Sequence, residues 1–307
     1  MSAPAAVSVF PPLKNILYAT DFSPCSQAAL PYLQAISERY GAAVHVVHAQ
    51  PQVLTTDRAA KIDSERYAAE VEMRAVVASG AFNNIAFTTT VASGEVWEIL
   101  STVIREKNID AIVMGTHGRR GVDKLVLGSV TEQVIRHASC PVLTLGPEAI
   151  HEPVDAGFSR ILFATDYSAG SKHALRYALS LAQANHSHLI MLHVMDGKLG
   201  AMPSTSEATS PGVQILAEYI AQALAYGRHH LAEQLSADVL QRLNPEILVE
   251  CGSAAETILA TALKRDVRLI VMGARRSLVD SISTHWPWAT ASLVICGAHC
   301  PVLTVRG

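Results

Sequence analysis

The chain has 307 residues, of which 50% are hydrophobic and 17% are charged, and its formal net charge at pH 7 is −3. This balance gives no electrostatic reason to expect binding to nucleic acid or to an anionic membrane surface. The sequence predicts no membrane span, which would need about 18 apolar residues, and no secretory signal. Five cysteines without metal-type spacing favour a reduced, cytoplasmic protein.

Segments typical of strands and helices alternate along the first half of the chain. The predicted strands are 15–19, 43–48, 86–91, 111–114 and 142–145, and the predicted helices are 23–40, 56–79, 96–107 and 129–138. Such alternation predicts right-handed crossovers and a parallel sheet that helices cover on both faces. The expected fold class is therefore α/β.

The second half of the chain repeats the first. The segment 15–23 (NILYATDFS) recurs at 160–168 (RILFATDYS), and Cys-Pro-Val-Leu-Thr occurs at both 140–144 and 300–304. We predict two tandem domains, 1–147 and 158–307, joined by a short linker. The offset between matching residues grows from 145 (16 to 161) to 158 (91 to 249), so the second copy has gained 13 residues. The expected insertion, 197–212, is predicted to be a mobile surface loop.

A glycine-rich segment follows the fourth predicted strand. Gly115 and Gly118 are followed, after nine further residues, by Gly128 and Ser129, where a predicted helix begins. Glycines let a backbone approach a ligand closely, and the N–H groups and dipole of a helix N-terminus favour an anion. We therefore predict that this segment holds the phosphates of a nucleotide.

The same segment resembles the nucleotide loop of the universal stress protein family, in its ATP-binding branch. The resemblance rests on Gly-x-x-Gly, nine residues and Gly-Ser, with the flanks Ile-Val-Met-Gly at 112–115 and Cys-Pro-Val-Leu-Thr at 140–144. It implies two Rossmann-like sandwiches of the adenine nucleotide alpha hydrolase type, each with five parallel strands in the order 3-2-1-4-5. It also implies that the last strands pair. Antiparallel pairing of 142–145 with 302–305 would make the chain its own pseudo-dimer, and a further homodimer stays open.

This strand order puts a ligand crevice where strands 1 and 4 end side by side. The resemblance implies that an adenine nucleotide, ATP with or without Mg²⁺, binds there. Asp21 would accept hydrogen bonds from ribose hydroxyls or the adenine amino group, and Ala49, after strand 2, would offer backbone groups to the base. The predicted cofactor-binding residues are Ala19, Thr20, Asp21, Ala49, Met114, Gly115, Gly118, Arg119, Gly128, Ser129, Val130 and Thr131.

Several of these residues also have a purely structural interpretation. Asp21 could cap the helix that begins near Ser23. Ser129 and Glu132 form a capping-box pattern, which is compatible with phosphate contact, and we expect both roles. The glycines could serve only tight turns and close packing.

The remaining polar residues near the crevice leave alternatives open. The loop residues His117, Arg119, Arg120 and Lys124 either contact phosphates or are solvated. For His48 and His193, which end matching strands, packing is the preferred interpretation.

The second copy departs from the nucleotide pattern. Arg276 stands at the position of Gly118, and Trp288 and Ala289 replace Gly128 and Ser129 when the copies are aligned from Cys300. An indole where a backbone must approach phosphate would fill that space. We therefore predict that this half does not bind ATP in the same manner.

The expected role of the nucleotide is regulatory. The sequence has no Walker-type loop, no Gly-x-Gly-x-x-Gly after strand 1, and no carboxylate, base or metal set for phosphoryl transfer. We expect a binding module, not an enzyme, that senses or stores ATP in the stress response, changing a surface near 53–63 and 197–212. The alternatives are a slow ATP hydrolase, and a nucleotide-independent interaction or chaperone-like protein; the protein partners stay open.

Overall fold

The computed structural model describes residues 13–50, 58–116, 127–151, 157–196, 211–274 and 286–307. The strands in these ranges are β1 (Asn15–Ala19), β2 (Ala43–Gln50), β3 (Phe87–Ser93), β4 (Ala111–Gly115), β5 (Val142–Leu145), β6 (Arg160–Thr165), β7 (His188–Asp196), β8 (Glu246–Gly252), β9 (Leu269–Ala274) and β10 (Val302–Arg306). The helices are α1 (Pro24–Ala28), α2 (Leu30–Tyr40), α3 (Arg58–Ala78), α4 (Val96–Glu106), α5 (Ser129–His137), α6 (Ala169–Asn185), α7 (Pro211–Ala232), α8 (Ala237–Leu243), α9 (Ala254–Lys264) and α10 (Trp286–Gly297).

All ten of these strands belong to one sheet, in the order β3-β2-β1-β4-β5-β10-β9-β6-β7-β8. Pairing is parallel within each half, and β5 and β10 pair antiparallel at the centre. The antiparallel pairing expected for the last strands is confirmed. Because the two halves run in opposite directions, the carboxyl ends of β1–β5 and those of β6–β10 point in opposite directions.

The connection between β1 and β2 differs from the single helix predicted over 23–40. It contains two helices, α1 and α2, that meet at Ala29. Pro31 has no N–H to donate to the carbonyl of Gln27, and its ring would crowd that carbonyl. At the end of α1, the N–H of Ala29 donates to the carbonyl three residues earlier, that of Ser26, at 3.1 Å. Arg176 occupies the matching position in the second half, where α6 runs unbroken.

Helices cover both faces of the sheet. Side chains from α2, α3, α6 and α7 pack into one buried apolar cluster, and those from α4, α5, α9 and α10 pack into a second cluster on the other face. Each cluster draws residues from both halves. Tyr32 and Phe158, for example, stack with their ring centroids 5.9 Å apart. The two halves therefore share their cores and do not merely touch at the strand edge.

The junction of β5 and β10 has near two-fold symmetry. The hydroxyl of Thr144 donates to the carbonyl of Val302, and the hydroxyl of Thr304 donates to the carbonyl of Val142, both at 3.2 Å. Both threonines are buried, and these backbone carbonyls satisfy the hydrogen-bonding requirement of their hydroxyls. Leu143 and Leu303 lie opposite each other and border an apolar void of about 40 Å³ between the halves.

Candidate functional site

The candidate site lies at the carboxyl ends of β1, β2 and β4. Ala19 pairs with Met114 across β1 and β4, so the two segments that follow these strands start side by side. The N–H of Thr20 donates to the carbonyl of Val47 at 3.0 Å and carries the β1–β2 pairing one residue further. Ala49 was expected to follow the second strand, but β2 extends to Gln50 and Ala49 pairs with Ala92 inside it.

Hydrogen bonds from the chain itself fix the turn after β1. The hydroxyl of Thr20 accepts from the N–H of Phe22 at 3.0 Å and donates to the hydroxyl of Ser26 at 3.1 Å. Oδ1 of Asp21 accepts from the N–H of Ser23 at 3.1 Å. Ser23, not Asp21, is the N-cap of α1, since its hydroxyl accepts from the N–H of Ser26. Asp21 thus stabilises the turn that precedes α1 by accepting a hydrogen bond from the backbone of its N-cap residue, Ser23.

The second half builds the same turn. The hydroxyl of Thr165 accepts from the N–H of Tyr167, and Oδ1 of Asp166 accepts from the N–H of Ser168, each at 3.0 Å. Tyr167 and its counterpart Phe22 both have φ near +60° (60° and 62°). The turn is therefore a property of the fold, and the presence of Asp21 in it is not by itself a sign of nucleotide binding.

The histidines that end the matching strands hold these turns in place. Nδ1 of His48 donates to the carbonyl of Thr20 at 2.7 Å, and Nδ1 of His193 donates to the carbonyl of Thr165 at 2.9 Å. Each imidazole also packs on the aromatic ring of its turn, with centroid distances of 4.5 Å to Phe22 and 4.3 Å to Tyr167. The packing role predicted for both histidines is confirmed.

Gly115 and Gly128 lie where backbones come very close. A Cβ on Gly115 would be 2.6 Å from the backbone nitrogen of Ser26, and a Cβ on Gly128 would be 2.8 Å from the carbonyl oxygen of Thr116. Both distances are shorter than real Cβ contacts. Close packing is thus sufficient to require glycine at both positions, with or without a ligand.

The start of α5 differs from the predicted capping box. Gly128 is the N-cap and Ser129 is the first helical residue, so no side chain caps the helix. Glu132, the expected partner of Ser129, instead forms an ion pair with Arg136 at 2.7 Å. The N–H of Gly128 donates to the carbonyl of Thr116 at 3.1 Å, which holds the uncapped helix start against the end of β4.

Thr131 strengthens the same connection. Its hydroxyl donates to two backbone carbonyl oxygens, that of Gly115 at 3.2 Å and that of Thr116 at 3.3 Å. Val130 is half-buried beside it. The structure therefore brings together all the predicted site residues except Gly118 and Arg119, which lie outside the described residues, as do His117, Arg120 and Lys124.

The matching helix of the second half begins at a different point. Ala289 corresponds to Ser129, because Cys300 lies 160 residues after Cys140, yet α10 already begins at Trp286. The counterparts of Gly128 and Ser129 therefore lie inside the first turn of α10 and not at its cap. Arg276 and the side chain of Trp288 are outside the described residues. Gly273 keeps the packing role of Gly115, since a Cβ there would be 2.5 Å from the carbonyl carbon of Gly170.

Tyr18 anchors α1 to the sheet beneath the site and provides a pH-dependent test. Its hydroxyl donates to the carbonyl of Ser26 at 2.7 Å. Burial raises the pKa of Tyr18 to about 12, although hydrogen bonds with Thr20 and Ser26 act in the opposite direction. Above about pH 10 the unfolded chain loses this proton while the folded chain keeps it, so the contribution to stability falls as pH rises from 10 to 12.

We therefore expect the free energy of unfolding of the wild-type chain to fall more steeply with pH than that of Tyr18→Phe. From about pH 8 to about pH 10.5, the free energy of unfolding of the wild type should fall by about 0.8 kcal/mol more than that of Tyr18→Phe. Urea unfolding of both proteins at the two pH values measures it. Other alkaline titrations, such as those of Cys140 and Cys296, occur in both proteins and cancel. Parallel pH profiles would contradict the prediction.

The fold defines an α/β protein with two parallel-stranded halves, and the candidate site lies at the carboxyl ends of β1 and β4 in the first half. The sequence profile of the universal stress protein family matches residues 12–145 and again residues 157–306. The chain belongs to the universal stress protein family, and it carries two tandem copies of the family's domain.

Individual relatives agree with this assignment. A universal stress protein of Thermus aquaticus is 36% identical over 136 residues, which cover 42% of this chain and 96% of that protein. One from Methanocaldococcus jannaschii is 30% identical over 138 residues, covering 43% of this chain and 81% of that protein. The crystal structure of a universal stress protein from Archaeoglobus fulgidus has the same fold, with a TM-score of 0.66, 22% identity and coverage of 95% and 98% of the two chains. In the described ranges no helix is long and apolar enough to cross a membrane.

Proposed function

We propose that the amino-terminal half binds ATP in the crevice between β1 and β4, and that the chain acts as a nucleotide-dependent sensor or regulatory module in the stress response. The observation that carries the proposal is the start of α5. It has no side-chain cap, and its glycine N-cap is tied to the end of β4. The first N–H groups of a helix and its dipole attract phosphate at such a position.

The other predicted residues fit a nucleotide in this crevice. The Asp21 carboxylate, at the end of β1, can accept hydrogen bonds from the ribose or the adenine amino group. Backbone groups of Ala19, Ala49 and Met114 at the same edge suit the base and ribose. Ser129 and Val130, in the first turn of α5, suit the phosphates. Gly118 and Arg119, which we also propose as phosphate contacts, lie outside the described residues. When bound, ATP would place its negatively charged phosphates at the start of α5, and Mg²⁺ would accompany the phosphates.

Members of the family have been solved with AMP and with cAMP bound. That is a property of those proteins, and the proposal for this chain rests on its own residues. The different start of α10 supports a single nucleotide site per chain, because the second half lacks the glycine cap at the matching position.

The two matching aspartates allow a controlled test. Asn keeps the oxygen that accepts from the turn N–H but removes the charge, so Asp21→Asn should leave the fold intact. Full-length Asp21→Asn should bind ATP about tenfold more weakly, which corresponds to about 1.4 kcal/mol. The control Asp166→Asn changes the same turn in the second half and should not alter the affinity. Isothermal titration calorimetry measures affinity and stoichiometry.

Three results would contradict the proposal: no heat of ATP binding, equal losses in the two variants, or two equivalent sites per chain. A thermal unfolding experiment provides an independent check, because ATP at about a hundred times its dissociation constant should stabilise the folded chain by about 2.7 kcal/mol. Mass spectrometry of stored protein then separates binding from turnover. ATP that persists supports a binding module, whereas conversion to ADP would favour the slow hydrolase.

A further inference from the structure

A cleft lies in the amino-terminal half, away from the proposed ATP site. It has a volume of about 430 Å³ and runs between α4 and the face of β2 and β3. His45 and Thr88, near the starts of their strands, line one end together with Lys107, the C-cap of α4. This end lies at the amino edge of the parallel strands, whereas the ATP crevice is at their carboxyl edge. Neither the family assignment nor the proposed function accounts for the cleft.

The second half shows what closes this corner. Ile190 pairs with Glu246 in the register in which His45 pairs with Thr88, and Arg265 is the C-cap of α9 as Lys107 is of α4. Nε of Arg265 donates to the two carboxylate oxygens of Glu246 at 3.1 and 3.2 Å. In the first half the corner keeps a cation but has threonine where the carboxylate would be. It is therefore open to a carboxylate from outside the chain.

Charges along the cleft describe the rest of the ligand. Glu106 lies beside Lys107, and Glu98 lies eight residues earlier on α4, about 12 Å along the helix axis. Among the described residues none of these three side chains forms an ion pair. Ile99 and Val103 form an apolar stretch between the two glutamates. The cleft thus presents one cation and two carboxylates, with an apolar section between them.

His45 completes the wall without adding charge. Its ring nitrogens lie 2.9 Å from the hydroxyl of Thr88 and 3.3 Å from Oδ1 of Asn15. Burial lowers the pKa of His45, and Lys107 lowers it further, so the imidazole is neutral at pH 7. The charged side chains of the cleft therefore sum to −1, which complements a ligand with a net charge of +1.

We propose that this cleft binds a free basic amino acid. The ligand's carboxylate pairs with Lys107 and takes the place that the Glu246 carboxylate occupies in the second half. Its α-ammonium group pairs with Glu106, its aliphatic stem lies on Ile99 and Val103, and its side-chain cation reaches Glu98. The chain would then respond to an amino acid independently of ATP.

Lysine and three analogues test the contacts one at a time. Norleucine lacks the side-chain cation, cadaverine lacks the carboxylate, and 6-aminohexanoate lacks the α-ammonium group. We expect lysine to shift the methyl NMR signals of Ile99 and Val103 saturably in the full-length protein. Each analogue should bind at least about tenfold more weakly, as expected for the loss of one charged contact. Absence of a saturable shift with lysine, or equal binding of any analogue, would overturn the assignment.

A pair of variants locates the site. Thr88→Glu installs the carboxylate found at this corner in the second half and should abolish lysine binding by pairing with Lys107. Thr89→Glu makes the same change on the opposite face of β3, since successive side chains alternate across a strand, and should bind lysine as the wild type does. Both threonines are exposed, and unchanged methyl signals elsewhere report an intact fold. Lysine binding that survives Thr88→Glu, or that is lost equally in both variants, would refute the site.

Discussion

Gly115→Ala is expected to lower the free energy of unfolding by at least about 3 kcal/mol. A Cβ at this position would be 2.6 Å from the nitrogen of Ser26 and 2.8 Å from the carbonyl carbon of Cys25. These are backbone atoms of α1, so no side chain can rotate away and the helix must move off the end of β4. The same effect is expected for Gly273→Ala, whose Cβ would meet the backbone of Gly170 and Ser171 at 2.5 Å. Urea unfolding measures both.

Gly41→Ala is the matched control. Gly41 has φ of +63°, and the space that a Cβ would occupy there is open to a distance of 4 Å, so the substitution should cost only the backbone term, about 1 kcal/mol. Comparing Gly115→Ala with Gly273→Ala separates the loss of packing from the loss of nucleotide binding, because Gly273 lies in the half for which no ATP site is proposed. If Gly115→Ala lost ATP affinity at unchanged stability, the packing explanation would be wrong.

The second large effect is expected at the junction of the halves. Leu303→Ala should lower the free energy of unfolding by about 3 kcal/mol, because the lost side chain leaves a cavity in a shared core. Leu303 is 7% exposed, lies opposite Leu143 and already borders the apolar void of about 40 Å³. The substitution would enlarge this void.

Leu263→Ala provides the comparison, since Leu263 on α9 is 70% exposed. Its removal should change stability by no more than about 0.5 kcal/mol. Both variants can be followed by circular dichroism during urea unfolding. A cost for Leu303→Ala as small as that for Leu263→Ala would mean that the two halves do not depend on each other for stability.

Much of the fold was predictable because segments typical of strands and helices alternate along the first half and the second half repeats the first. The predicted bounds of β1 and β5 coincide with those in the structure, and the antiparallel pairing of the last strands, which the family resemblance implied, is observed. The break before α2 was missed although its signal, Pro31, is visible in the sequence. A proline in the first turn of one helix looks, in a sequence, like a proline inside a longer one.

The convergence of strand ends at the candidate site was predictable, but the hydrogen bonds around it were not. Topology alone brings the ends of β1 and β4 together, and glycines mark the start of α5. The capping-box pattern at Ser129 misled because the helix begins one residue earlier than that pattern requires, with Gly128 as the cap. The turn that contains Asp21 was visible in the sequence only as the repeated Ala-Thr-Asp at 19–21 and 164–166, and its hydrogen bonds to backbone groups needed the structure. The cleft at Lys107 needs three distant segments to meet, so only the structure reveals it.

The pairing of β5 with β10 joins two segments of a single polypeptide. Separate subunits dissociate on dilution, and each substitution in an identical pair is present in both members. A tether removes both constraints: the two strands stay opposed at any protein concentration, and either half can diverge alone. One copy has the Glu246–Arg265 pair, whereas the other has Thr88 at the position of Glu246 and an open corner there. Such asymmetry would be impossible in an assembly of two identical chains.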